Sequence, residues 1–70
     1  MDERVTNSVK EQRTGAGLTQ EDLAAAMGVS RQTIISIERG KYIPSLPLAL
    51  KLARFFKCPA DAVFTIEEGE

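Results

Sequence analysis

Arg31, Gln32, Ser36 and Arg39 fall within nine consecutive residues, RQTIISIER. Guanidinium, amide and hydroxyl groups are the side chains that pair with base edges: arginine with guanine, glutamine with adenine, serine with either. At about 100° per residue on a helical wheel, Gln32, Ser36 and Arg39 share one face and Arg31 stands at the N-terminal tip. Ile34 and Ile37 define the opposite, inward side, with Glu38 beside them. Ile35 lies on the shoulder, an apolar residue that core packing does not claim and that suits a thymine methyl. The chemistry on offer is recognition of duplex DNA. The same face on an ordinary core helix would only be solvated, so the surrounding elements must decide.

Other chemistries lack their groups. The chain has no histidine and one cysteine, Cys58. An intramolecular disulfide, a zinc cluster and imidazole acid–base catalysis are therefore excluded, and Cys58 reads as a structural thiol. There is no phosphate-binding glycine loop, no nucleophile with a base, and no metal-ligand spacing, so neither an enzyme nor a cofactor is expected. No run of about 18 apolar residues or charged-then-apolar leader is present. A cytoplasmic protein that does not cross a membrane is the expectation.

The formal net charge is -1 over 70 residues, which argues against a polyanion partner only if the charge is evenly spread. It is not. Residues 31–57 hold Arg31, Arg39, Lys41, Lys51, Arg54 and Lys57 against Glu38 alone. The acids gather at the two ends: Asp2, Glu3, Glu11, Glu21 and Asp22 first, then Asp61, Glu67, Glu68 and Glu70. A ligand responds to the local field rather than to the sum.

Glycine and proline divide the chain into short segments with helical periodicity. The first helix is expected over about Glu3 to Gly15, with Val5 and Val9 one turn apart. It is the poorest, because Gln12 breaks the apolar stripe and Gly15 weakens the last turn. A second helix starts at Thr19, whose spacing to Asp22 is that of a capping box, and stops at Gly28. A third is capped by Ser30 and stops at Gly40. Only Gly28-Val29-Ser30 joins them, so they must cross steeply, as in a helix-turn-helix. Ser45 caps a fourth helix with Pro47 in its first turn, and Pro59 opens a fifth over Ala60 to Phe64. The prediction is an all-α, single-domain chain over residues 1–70, with five helices, a core over about 5–64 and an acidic tail, 65–70.

Helix N-termini attract anions through free backbone N–H groups and the helix dipole. Gln20 at the start of helix two, next to Thr19, is placed to clamp a phosphate; Lys41 with the start of helix four would hold another. Arg13 and Glu38 each fall on the half-buried side of a helix, where a lone charge is expensive. They are expected to pair, tying helix one to helix three.

The ordered series GLTQEDLA (17–24), GVSRQTI (28–34), IERGKY (37–42), PSL (44–46) and LALKLA (48–53) resembles the Cro/repressor-type, or Xre, helix-turn-helix family over roughly residues 5–64. The resemblance implies a five-helix repressor-like fold and sequence-specific binding of double-stranded DNA, usually as a dimer on a near-palindromic operator. By position it implies base contacts at Arg31, Gln32 and Ser36, with Ser30 and Ile35 at the margin. It implies phosphate contacts at or near Thr19, Gln20, Arg39, Lys41 and Tyr42, and a buried Arg13–Glu38 salt bridge. The sequence departs from the family pattern at Gln12, Gly15, Ile43, Lys57 and Pro59, none of which is on the reading face.

One reading helix covers only a half-site, so a homodimer is expected. Its interface is expected from helix five and the tail, above all Phe64 and Ile66, with Leu48 or Phe55 as additions. A repressor that occupies an operator is the leading reading, and no small-molecule effector is expected. The alternative is an antitoxin or adaptor whose main partner is another protein.

Overall fold

A computed structural model describes residues 3–68. The elements run β1 (Glu3–Asn7), α1 (Val9–Gly15), α2 (Gln20–Met27), α3 (Arg31–Glu38), α4 (Leu46–Phe56), α5 (Ala60–Val63) and β2 (Phe64–Glu68). The acidic ends at Asp2 and Glu70 lie outside the described residues.

Three helices begin at a hydroxyl. The Asp22 N–H donates to Thr19 Oγ1 at 3.0 Å while Asp22 Oδ2 accepts from the Thr19 N–H at 3.0 Å, a reciprocal box that starts α2. Ser30 Oγ accepts from the Thr33 N–H at 3.2 Å and Ser45 Oγ from the Leu48 N–H at 3.4 Å. Pro47 sits in the first turn of α4, where its missing N–H has no intrahelical partner to lose. Their inward faces, with Val9 and Val63, form the core: Leu23 and Met27 from α2, Ile34 and Ile37 from α3, Leu48, Leu52 and Ala53 from α4. Lys51 Nζ donates to the Met27 carbonyl at 3.1 Å. It places a cation at the negative end of α2 and braces α4 against it.

The fold is not all-α. β1 and β2 form a two-stranded antiparallel sheet in the register Arg4↔Glu67, Val5↔Ile66 and Thr6↔Thr65. The helix expected from Glu3 begins only at Val9. The Val5–Val9 spacing imitates a helical turn, but β-branched residues face each other across the strands and favour the pleated form. Asn7 fixes the change of direction. Its Oδ1 accepts from the Val9 N–H at 3.1 Å and its Nδ2 donates to the Ile37 carbonyl at 2.9 Å, bolting the strand end to α3. The Ser8 N–H donates to the Val63 carbonyl at 2.9 Å. The fifth helix ends at Val63, and Phe64, expected to be helical, opens β2.

At the end of α3, Gly40 has φ 73°, and the Lys41 N–H reaches back to the Ser36 carbonyl at 2.9 Å. Helix α4 closes in the same way, the Cys58 N–H donating to the Ala53 carbonyl at 3.0 Å. There the left-handed residue is Lys57, at φ 58°. A side chain is strained in that region, by about 1–2 kcal/mol, and glycine recovers most of this at some cost in chain entropy. Lys57→Gly is therefore expected to raise unfolding stability by about 0.5–1 kcal/mol, read as a higher urea midpoint with an unchanged slope.

Candidate nucleic-acid interface

Helix α3 carries the face from its own periodicity. Ile34 and Ile37 are fully buried, which turns Arg31, Gln32 and Arg39 outward as exposed side chains, with Ile35 and Ser36 half-buried at the margins. Gln32 Nε2 lies 3.4 Å from Ser36 Oγ, one turn along the same face. Ser30 Oγ is also within 2.9 Å of Thr33 Oγ1, so its hydroxyl is already engaged in capping. Tyr42 folds back beside this row. With Ser30, Gln32, Thr33 and Ser36 it lines a shallow cleft of about 210 Å³.

The remaining site residues gather on the other flank of α3. Thr19, Gln20 and Arg31 line one opening, together with Glu21. Gln20, Arg31, Ile35, Glu38 and Arg39 line a second of about 320 Å³, and Lys10 of α1 joins them. The sequence reading left Lys10 aside. Its signal was the three-residue spacing to Arg13, which puts both on one face of α1. Lys41 is exposed just beyond the end of α3. The predicted reading and flanking residues thus border openings on the two flanks of α3, with Lys41 outside them. Phe64 and Ile66 lie apart from these openings, on the strand that pairs with β1.

Under α3 lies a closed ionic network. Arg13 Nε is 2.7 Å from Glu38 Oε2 and Arg13 Nη2 is 3.2 Å from Glu38 Oε1, a bidentate pair. Arg13 Nη1 donates to the Leu18 carbonyl at 2.9 Å, and Gln20 Nε2 donates to Glu38 Oε1 at 3.2 Å. Three helices therefore meet on one carboxylate. The hydrogen bond to Glu38 raises the Arg13 pKa above its ordinary value, against the opposing effect of burial. For Gln20 the consequence is specific: one amide hydrogen is engaged with Glu38, leaving the second and the carbonyl oxygen for another partner.

The cap that presents Gln20 has a pH signature. Hydrogen bonds from the Thr19 backbone and side chain hold the Asp22 carboxyl below its usual range. A depressed carboxylate pKa means that the stabilisation is fully present above the unfolded value of about 3.9 and is lost as pH falls through the folded value. Asp22→Asn is expected to flatten the acid limb of stability measured as pH falls below the unfolded value of about 3.9. An acid limb identical to that of the unsubstituted protein would show that the box contributes no linkage.

Two capped helices on a three-residue turn, with a polar outward face on the second, make a testable family pattern. The family described as helix-turn-helix matches residues 9–63. This chain belongs to the helix-turn-helix family. Its members are DNA-binding transcription regulators, not a class of enzyme. This helix-turn-helix protein is 55% identical over 64 residues to an HTH-type transcriptional regulator of Methanocaldococcus jannaschii, covering 91% of this chain and 97% of that one. It is 48% identical over 62 residues to an HTH-type transcriptional regulator of Bacillus subtilis, with 89% and 94% covered. Among solved structures it is similar to the restriction-modification controller protein C.AhdI of Aeromonas hydrophila, with TM-score 0.70 and 37% identity, covering 77% of this chain and 82% of that one. Among the described residues no helix is long and apolar enough to cross a membrane.

Proposed function

We propose that this chain binds double-stranded DNA sequence-specifically as a homodimer on a near-palindromic operator, with α3 in the major groove. The carrying observation is the outward face of α3, which presents exposed Arg31 and Gln32 with Ser36 one turn along, while Ile34 and Ile37 hold the opposite side. In this reading Arg31, Gln32 and Ser36 read base edges, with Ser30 and Ile35 at the margin. Thr19, Gln20, Arg39, Lys41 and Tyr42 contact backbone phosphates. Gln20 bridges Glu38 and a phosphate with its two amide hydrogens. Occupying an operator excludes polymerase without any further contact, so repression is the simplest consequence.

A dimer suits the apolar surface. Ile66 is 63% exposed opposite Val5, and Ile43 and Leu46 are 64% and 70% exposed at the α3–α4 connection. Phe64 is only half-buried, whereas Leu48 belongs to the core and is withdrawn from the interface. Selection of bound sites from a random DNA pool tests both parts together. Enriched half-sites related by two-fold symmetry, with centres about 10 base pairs apart, are the expected result. An enriched but asymmetric single site would overturn the dimer. No enrichment would overturn sequence-specific recognition and leave the adaptor reading.

A further inference from the structure

Glu38 already uses three of its roughly four acceptor sites on Arg13 and Gln20. Both carboxylate oxygens accept from Arg13, and Oε1 accepts from Gln20 as well. Yet three more cations, Lys10, Arg31 and Arg39, line the same cleft, where Glu38 is the only acid. Among the described residues none of the three is in an ion pair. Arg13 neutralises Glu38, so the cleft holds three cations from α1 and the two ends of α3 with no further acid in its lining, Glu21 lying in the adjoining opening beside Arg31. Clustered like charges repel one another, and in the absence of a ligand they are held together only by the helices that carry them.

Lys10 is placed there by α1. It precedes Arg13 by three residues on the same face, and Arg13 is anchored on Glu38. Lys10 therefore hangs one turn away, on the side that α3 shares with Gln20. Its four-carbon stem carries a mobile point charge, suited to a phosphate oxygen rather than to a base edge.

We propose that Lys10 is a further DNA-contacting residue, closing with Gln20 and Arg39 on a backbone phosphodiester that runs past the start of α2, beside the base-reading Arg31. The proposal rests on the DNA-binding reading and extends the contact surface to α1. It also explains why a chain of net charge -1 presents a cationic cleft beside α3. Lys10 contributes affinity without sequence choice, because a phosphate contact carries no direct base information.

Salt titrations of DNA affinity test it, with the unsubstituted protein, Lys10→Ala, Lys10→Arg and Lys57→Ala on one selected site and on unrelated duplex. For Lys10→Ala the log–log salt slope is expected to become shallower by about 0.9 per protomer bound. The advantage of the unsubstituted protein should then shrink by about 3.5-fold per protomer between 50 and 200 mM salt. The ratio of specific to unrelated affinity stays constant, and Lys10→Arg restores the slope. Lys57→Ala, which removes the same charge from a different opening between α1 and α4, leaves the slope in place. An unaltered slope for Lys10→Ala, or an equal change for Lys57→Ala, overturns the contact even though the unsubstituted protein binds. Salt-insensitive or absent binding by the unsubstituted protein itself would instead overturn the DNA-binding reading. Thermal unfolding of each variant, which is expected to match for the exposed Lys10, separates lost contact from lost fold.

Discussion

Glu38→Ala is expected to lower unfolding stability by about 3–5 kcal/mol, the cost of leaving one member of a buried ion pair alone. The substitution strands the Arg13 guanidinium, 8% exposed, with the Leu18 carbonyl as its remaining partner. It also removes the acceptor that orients Gln20. At roughly 0.05–0.15 kcal/mol of stability per residue, a domain of 70 residues has about 3.5–10.5 kcal/mol in all, so the loss is a large share of the total and should appear as a much lower urea midpoint. Arg13→Ala should cost a similar amount, because Glu38 would keep only the Gln20 amide. The double replacement Arg13→Met with Glu38→Leu should recover most of the loss, since an apolar pair of similar volume is often neutral or better. Urea unfolding of the two single variants and the double measures all three. If Glu38→Ala alone cost less than about 1 kcal/mol, in the range of exposed ion pairs, the network would be dispensable.

On the proposed DNA reading, Arg31→Ala and Gln32→Ala should each relax base choice at one position of the half-site. The expected loss is about 1–3 kcal/mol against the preferred base, or about 5- to 150-fold in affinity. Binding should be measured on the selected site and on duplexes that each carry one replaced base pair. Gln32→Ala should level the preference where the unsubstituted protein discriminates and leave the other positions alone. Lys41→Ala, by contrast, should weaken every duplex in proportion. An equal loss for Gln32→Ala on all duplexes would remove it from the base-reading set.

The parts of the fold that were legible in sequence are those specified locally. Thr19 with Asp22, Ser30, Ser45, Gly28 and Gly40 mark helix ends through contacts only a few residues apart, and each helix boundary near them is found there. β1 was not legible, because its evidence lies 59 residues away. Thr6 and Thr65 face each other across the sheet, while the nearer Val5–Val9 spacing imitates a helical turn. The outward face of α3 followed from its periodicity. What did not follow was tertiary: that one Gln20 hydrogen is held by Glu38, that Tyr42 returns beside Gln32, and that Lys10 enters the same cleft as Arg39. Each requires knowing how two elements cross.

The sheet has a kinetic meaning as well. Helices α2 and α3 join through three residues and assemble largely from local contacts. Pairing β1 with β2 must close a loop across most of the chain, which carries a larger entropic penalty and rewards it only when the helices already hold the ends near each other. On this entropic argument the strands are expected to pair late in folding, with their amides among the first to exchange with solvent when the native state breathes. Because Asn7 bonds to the Ile37 carbonyl, each such opening also releases a hydrogen bond at the last turn of α3. Order in the sheet and order at the end of α3 are thus expected to be thermodynamically coupled.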